Sequence, residues 1–315
     1  MDRQNKDRQY GGWEVGEQQV RTESMSWWGD VWRRFRRQRA YLISGMVLLV
    51  VLLLSFLAPL VAPYDPIEQF RDEGLSDLGA PLPPNSQFWL GTDGLGRDLL
   101  SRLLWGGRMS LGIGFAASFI TVMLALLLGA VAGYVGGKVD FLMMRFVDMM
   151  MSFPIFFMML LLVTMLRPGI WVVIVVISIF AWAYPARIFR GQILSIKGKD
   201  FVLAARCLGA SERRIFIRHL LPHLLPLVIV YTALRLPTTV FAEASLSFLG
   251  LGVPPPQPSW GTMIRNGMKY YRAAPWVMLY PGIALALTVV SVNLVGTGLR
   301  EAMDPTQRGV RGTFG

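Results

Sequence analysis

The chain has 315 residues, of which 53% are hydrophobic and 16% charged, and its mean hydropathy is +0.46. A soluble domain carries about a quarter charged residues, so this balance excludes an ordinary water-soluble enzyme and points to a polytopic membrane protein. The formal net charge of +11 sits between apolar runs, where membrane topology explains it without nucleic acid as a partner, and the single Cys207 excludes an internal disulfide or a multi-cysteine metal site.

Residues 1 to about 26 are polar, without apolar periodicity, and read as disordered. Trp27, Trp28 and Trp32, then Arg33, Arg34, Arg36, Arg37 and Arg39, form an aromatic and cationic collar suited to the headgroup level. No cleavable signal peptide is expected, because the first apolar run starts near Tyr41 behind this tail. That run predicts a first span over 41–61. Residues 64–108 are a polar stretch containing Pro81, Pro83 and Pro84, followed by LGTDGLGRDLLSRLLWGGR. Gly91, Gly94 and Gly96 are not a dinucleotide fingerprint, since no strand precedes them. Asp98 to Arg108 reads as a short amphipathic helix leading into a second span.

The second span covers about 109–134, with Gly129 and Gly133 as a small-xxx-small pair for close helix packing. Lys138 to Arg145 reads as a short turn. Further spans are expected over about 146–166, 170–189, 224–249 and 276–299. Pro154, Pro185, Pro237 and Pro281 interrupt them, as membrane helices tolerate when neighbours satisfy the freed carbonyls. The fold class is therefore all-α, a polytopic membrane helix bundle with about six transmembrane helices. The chain divides into a tail at 1–40, a first helix and loop at 41–108, a membrane core at 109–303 and a tail at 304–315.

Between the fourth and fifth spans lies a basic segment, Lys199 to His223. Phe201, Ala204, Ala205 and Leu208 recur at helical spacing, which predicts a short amphipathic helix. Gly209 stops it, because glycine reaches the left-handed conformation that follows a last helical turn. Ser211 is placed to cap a second helix, and Glu212 suits that helix's positive end. The second helix is expected to run to about Leu221 and break at Pro222. The result is a helix–turn–helix elbow outside the bilayer, whose small residues admit another protein's surface.

Most of the 31 Lys and Arg fall in the first tail, the turn after the second span, the elbow and the last tail. The positive-inside rule makes these segments cytoplasmic, so both termini and the elbow face the cytoplasm, and 64–108 and 250–275 face outward.

The chain has no G-x-x-x-x-G-K-[ST] run and no H-E-x-x-H, so it is not expected to hydrolyse nucleotide or act as an enzyme. His219 and His223 are four apart, with Pro222 between them and no carboxylate nearby in sequence, and read as loop histidines. The Met149 to Met151 and Met158–Met159 clusters read as adaptable packing. Arg145 and Asp148 are spaced to pair locally. Arg235 and Glu243 are charges within or near the end of the fifth span. Either they line a translocation path or they pair structurally with other helices.

The residue order of the elbow resembles the cytoplasmic loop of ABC-importer permeases. That family's pattern is Glu-Ala-Ala, three residues, Gly, nine residues, then Ile-x-Leu-Pro. Ala204–Ala205, Gly209 and Leu221–Pro222 stand at those spacings, while Leu203 replaces the glutamate and His219 the isoleucine. The GTDxxGRDxxSR run and ASLSFLGLGVPPPQPSWG resemble the dipeptide, oligopeptide and nickel branch, and its C-type subunit in particular. The resemblance implies the type I ABC-importer transmembrane domain. It also implies a plasma (inner) membrane location and an ATPase-coupling loop built on Phe201, Ala204, Ala205, Gly209, Ser211, Leu221 and Pro222. Implied partners are a homologous second permease, two cytoplasmic ATPase subunits, an extracytoplasmic substrate-binding protein and membrane lipid. No cofactor would be bound by this chain, ATP being used by the partner subunits. The rival reading is a secondary transporter or channel acting without ATPases, which inverted repeats and mid-membrane carboxylates would favour.

Overall fold

The computed structural model describes residues 36, 38–167 and 169–303. The expected disordered tail at 1–26, the collar residues Trp27, Trp28, Trp32, Arg33, Arg34 and Arg37, and the tail at 304–315 lie outside the described residues. Among the described residues the chain is helical, with two isolated bridges and no strand. Four helices are long and apolar enough to cross a membrane, and two bent helix pairs bring the number to as many as six.

Helix α1 (Arg39–Phe56) is followed by the single turn α2 (Ala58–Val61). Ile43, Met46, Leu49, Val50 and Leu53 of α1 are exposed, as expected of a helix facing lipid. The spine of the bundle is α3 (Leu99–Val135). The expected leader helix and second span are one 37-residue helix, because nothing between Asp98 and Met109 breaks it. Its length of about 55 Å exceeds a bilayer core of about 30 Å, so its first turns extend beyond the hydrocarbon.

The third and fourth spans are not straight. The third consists of α4 (Gly137–Ser152) and α5 (Ile155–Met165), bent by 85° at the break. Pro154 lacks an N–H, and the residue before it, Phe153, is extended with φ −96° and ψ 144°. The fourth consists of α6 (Ile170–Ala181) and α7 (Ala183–Ile196), bent by 50°. Pro185 cannot donate to the carbonyl four residues back, which leaves a natural joint beside Trp182.

Helix α7 lies closely along α3, and the glycines decide how closely. A Cβ at Gly133 would come 2.8 Å from the Arg190 carbonyl oxygen, and one at Gly129 would strike the Ala186 backbone. With no Cβ at either position the two backbones touch, as the small-xxx-small spacing implies. The chain is completed by α8 (Asp200–Cys207), α9 (Glu212–Ile215), a π turn (Phe216–Leu220), α10 (Leu221–Phe248), α11 (Trp260–Gly267) and α12 (Trp276–Met303). One apolar core joins α3, α7 and α10 to the elbow, a second joins α3, α5 and α6, and a third joins α3, α10, α11 and α12.

Candidate functional site

The elbow folds through the local signals in its sequence. Helix α8 ends in a left-handed Gly209 at φ +76°. The Ala210 N–H donates to the Ala205 carbonyl at 3.0 Å and the Gly209 N–H to that of Arg206 at 2.9 Å, the paired bonds of a Schellman ending. Ser211, extended at φ −64° and ψ 149°, accepts from the Arg214 N–H at 3.4 Å and starts α9.

The packed face of α8 differs from the expected one. Val202 is fully buried, with Phe201 and Ala205 half-buried beside it, whereas Ala204 is exposed and Leu208 is 88% exposed. The helix sits on the core by the 201–202–205 stripe. Leu203, Leu208 and Ile217 therefore remain large apolar side chains in the open. They lie on three pieces of the elbow, α8, the turn after it and the π turn, and exposed apolar surface on an otherwise basic segment suits contact with another protein.

The second helix does not break at Pro222. Its axis continues from Glu212 to Phe248, and the disturbance is the π turn at Phe216–Leu220 just before the proline. The Leu221 N–H reaches the Phe216 carbonyl, five residues back. Widening the helix by one residue there makes room for a ring that has no N–H to give, so the chain is redirected rather than stopped. Phe216 packs on Tyr134, and Phe201 stacks on His223 with ring centroids 4.9 Å apart. His223 Nδ1 lies 2.7 Å from the His219 carbonyl oxygen, and no cluster of three metal-ligating side chains occurs among the described residues.

Polar ties hold the elbow to the bundle. The Tyr134 hydroxyl, at the end of α3, donates to the Glu212 carbonyl at 3.1 Å and also bonds the Glu212 carboxylate. Arg206 meets that carboxylate at 3.2 Å, which together with Tyr134 raises the guanidinium further above its usual range. The Lys197 ammonium caps the end of α3 by donating to the Gly133 carbonyl at 3.0 Å. Arg190 pairs with Asp140 and Arg187 with Asp148, tying α7 to α4. The expected local pair of Arg145 and Asp148 does not form. Asp148 is taken by Arg187, and Arg145 lies over the Phe141 ring.

Arg235 and Glu243 are not brought together. Glu243 is fully buried and its Oε1 accepts from the Ser247 hydroxyl at 2.7 Å. Its Oε2 is buried without a hydrogen-bond partner among the described residues. Arg235 is half-buried, with its guanidinium 5.4 Å above the centre of the Tyr184 ring, and it borders a cavity rather than a carboxylate.

A third polar site went unrecognised from the sequence. Asp93 accepts from Arg97 Nε at 2.8 Å and lies 3.2 Å from Arg102 Nε, all three side chains being buried. Arg102 also donates to the Pro66 carbonyl at 2.7 Å, and Asp98 caps α3 through the Ser101 N–H at 2.7 Å. Gly94 lies against Tyr270, so the GTDGLGRD run locks the 62–98 loop onto α3 and the segment after α11. The spacing of its charges was visible in sequence, but pairing across four to nine residues in a loop has no periodic signal.

A helical spine carrying bent spans, with a small capped elbow mounted on one of its cores, defines a polytopic helical membrane protein. Residues 125–309, more than half of the chain, match the binding-protein-dependent transport system inner membrane component family, and residues 26–84 match the N-terminal TM domain of oligopeptide transport permease C. The chain belongs to this family and is a permease subunit of an ABC importer. It is 40% identical over 291 residues, 92% of each chain, to the oligopeptide transport system permease protein OppC of Haemophilus influenzae. It is 36% identical over 290 residues to the dipeptide transport system permease protein DppC of Bacillus subtilis, covering 92% of this chain and 89% of that one. An inward-facing structure of the MetNI methionine ABC transporter shares the fold, with a TM-score of 0.52 and 21% identity over 64% of this chain and 96% of that chain.

Proposed function

We propose that this permease carries dipeptides or oligopeptides across the cytoplasmic membrane, as one of two permease subunits served by two ATPases and an extracytoplasmic binding protein. The observation that carries the peptide reading is the identity over nine-tenths of the chain to relatives named for those substrates. This chain binds no nucleotide, and ATP is used by the partner subunits. The termini and the elbow face the cytoplasm.

Coupling runs through the elbow. Phe201 and Ala205 seat α8 on the apolar core, while Ala204 and Gly209 keep its outer face low beside exposed Leu203 and Leu208. Ser211 sets the direction of α9, and Leu221 and Pro222 close the π turn that feeds α10. Because Val202, Ile215 and Leu220 share one core with Phe189, Ile193 and Val228, a displacement of the elbow re-packs α3, α7 and α10 as a unit. ATP binding in the partners would need only to favour one of two such arrangements. Arg235 belongs to the route and Glu243 to the packing between α3, α10 and α11.

The test is reconstitution of the four kinds of subunit in vesicles, with ATP-driven uptake of labelled di- to pentapeptides as the readout. Uptake that requires every subunit supports the reading. No uptake of any peptide would remove the substrate class, and ATP hydrolysis by the purified chain alone would remove the division of labour.

A further inference from the structure

We propose that Arg235, with Arg300, Tyr231 and Tyr184, forms a way-station that holds the C-terminal carboxylate of the passing peptide. This deepens the peptide reading above and rests on it. The site is a cavity of about 410 Å³ lined by Tyr184, Tyr231, Leu234, Arg235, Thr238 and Arg300, within the roughly 300–1,000 Å³ typical of small-ligand sites. Tyr231, Leu234, Arg235 and Thr238 are spaced i, i+3, i+4, i+7, so one stripe of α10 forms the wall. Tyr184 comes from the first turn of α7 and Arg300 from the last turn of α12. A Cβ at Gly296 of α12 would meet Leu234, so α12 packs directly against the α10 wall at the level of the cavity.

The chemistry of the wall is one-sided. Two guanidinium groups border the cavity and no carboxylate does. Among the described residues neither arginine has an ion pair, and the hydroxyls of Tyr184 and Tyr231 have no hydrogen-bond partner. Thr238 turns its hydroxyl inward to the Arg235 carbonyl at 2.7 Å, so it offers the cavity no proton. Tyr231 is fixed against Phe189, and Arg235 against the Tyr184 face. An arginine within a membrane span is costly unless a partner meets it, and here every free donor points to an anion supplied from outside the chain. A carboxylate takes a guanidinium fork in two parallel bonds. It is the one group present at the same end of every peptide whatever its sequence, so holding it need not restrict side chains.

The experiment uses the full reconstituted complex and compares uptake of trialanine with that of trialanine amide. Both are supplied at equal occupancy of the binding protein, set from its measured affinity for each. Arg235→Gln is expected to lower free-acid uptake about tenfold, the effect of losing a charge-assisted pair, and to abolish the acid-over-amide preference. Tyr231→Phe and Arg300→Gln should reduce that preference less, and Arg235→Lys should keep part of it. ATPase stimulation by loaded binding protein reports assembly in each variant. Equal loss of acid and amide uptake by Arg235→Gln and Arg300→Gln, or loss of assembly in both, would overturn the site in favour of a structural anion in a partner subunit. A defect that follows the anionic-lipid content of the vesicles instead would assign the cavity to a headgroup and also overturn it. Wild-type complex that takes up no peptide at all brings down the peptide reading itself, a result distinct from a selective failure of the variants.

Discussion

Gly209 is where the elbow can be damaged without touching the bundle. Its φ of +76° lies in the left-handed region, and an added Cβ would find no atom within 4 Å. In the isolated chain the penalty of a substitution is therefore backbone alone. A non-glycine residue there costs roughly 1–2 kcal/mol, a β-branched one more, and Asn less than Ala because its side chain tolerates this conformation. A penalty of 1–2 kcal/mol shifts the population of the formed elbow by a factor of roughly 5–30. Two of the three cores packed around α3 contain no elbow residue, and a Cβ at Gly209 would touch nothing in the third, so Gly209→Val should insert and fold at normal levels. In purified complexes it should lose most of the ATPase stimulation produced by loaded binding protein. Gly209→Asn separates the two contributions, since it keeps the turn yet adds bulk to the exposed face. If Asn retains stimulation and Val does not, the turn geometry is what matters, and if both fail equally, the surface is in contact with the ATPase. Normal assembly, stimulation and uptake by Gly209→Val would refute the coupling role and leave the elbow an anchor.

Asp93→Asn leaves Arg97 and Arg102 buried without their counter-charge, and a loss of about 3–5 kcal/mol is expected, read as a lowered melting temperature and faster proteolysis of the 62–98 loop. Gly133→Val should prevent close packing of α3 on α7 and sharply lower thermal stability in detergent, because the backbone of Arg190 blocks its Cβ. Gly112→Ala, in the same helix with nothing within 4 Å of the new methyl, should have the opposite sign and raise stability by about 0.5–1 kcal/mol. For topology, Leu78→Cys and Tyr271→Cys, at positions 96% and 54% exposed, should react with an impermeant thiol reagent in intact cells carrying Cys207→Ser. The native Cys207, itself exposed, should react only after permeabilisation, and its labelling from outside would invert the orientation.

Composition and local chemistry in the sequence were enough to establish a helical membrane protein, the Gly129–Gly133 approach and the capped turn at Gly209 and Ser211. Each of these depends on interactions within a few residues, or on the solvent a segment must face, so the pattern carries its own reason. The family frame of the elbow was likewise legible, because a turn and a cap are local. Which face of α8 is buried was not. Helical spacing admits both the 201–204–205–208 stripe and the 201–202–205 stripe, and only the core beneath, built from α7 and α10, selects the one with Val202. Pro222 announces a missing hydrogen bond, but whether the chain stops or widens into a π turn depends on whether packing on both sides holds the axis straight. Pro154 carries the same chemistry without that support, and the helix there bends by 85°. Charges behaved in the same way. Asp148 passed over its neighbour Arg145 for Arg187, Asp93 gathered two arginines, and Glu243 went into the interior while Arg235 came to rest at a cavity wall. Those choices rest on distances between segments far apart in the chain, which no periodicity records and which exist only once α3 has gathered the other helices around it.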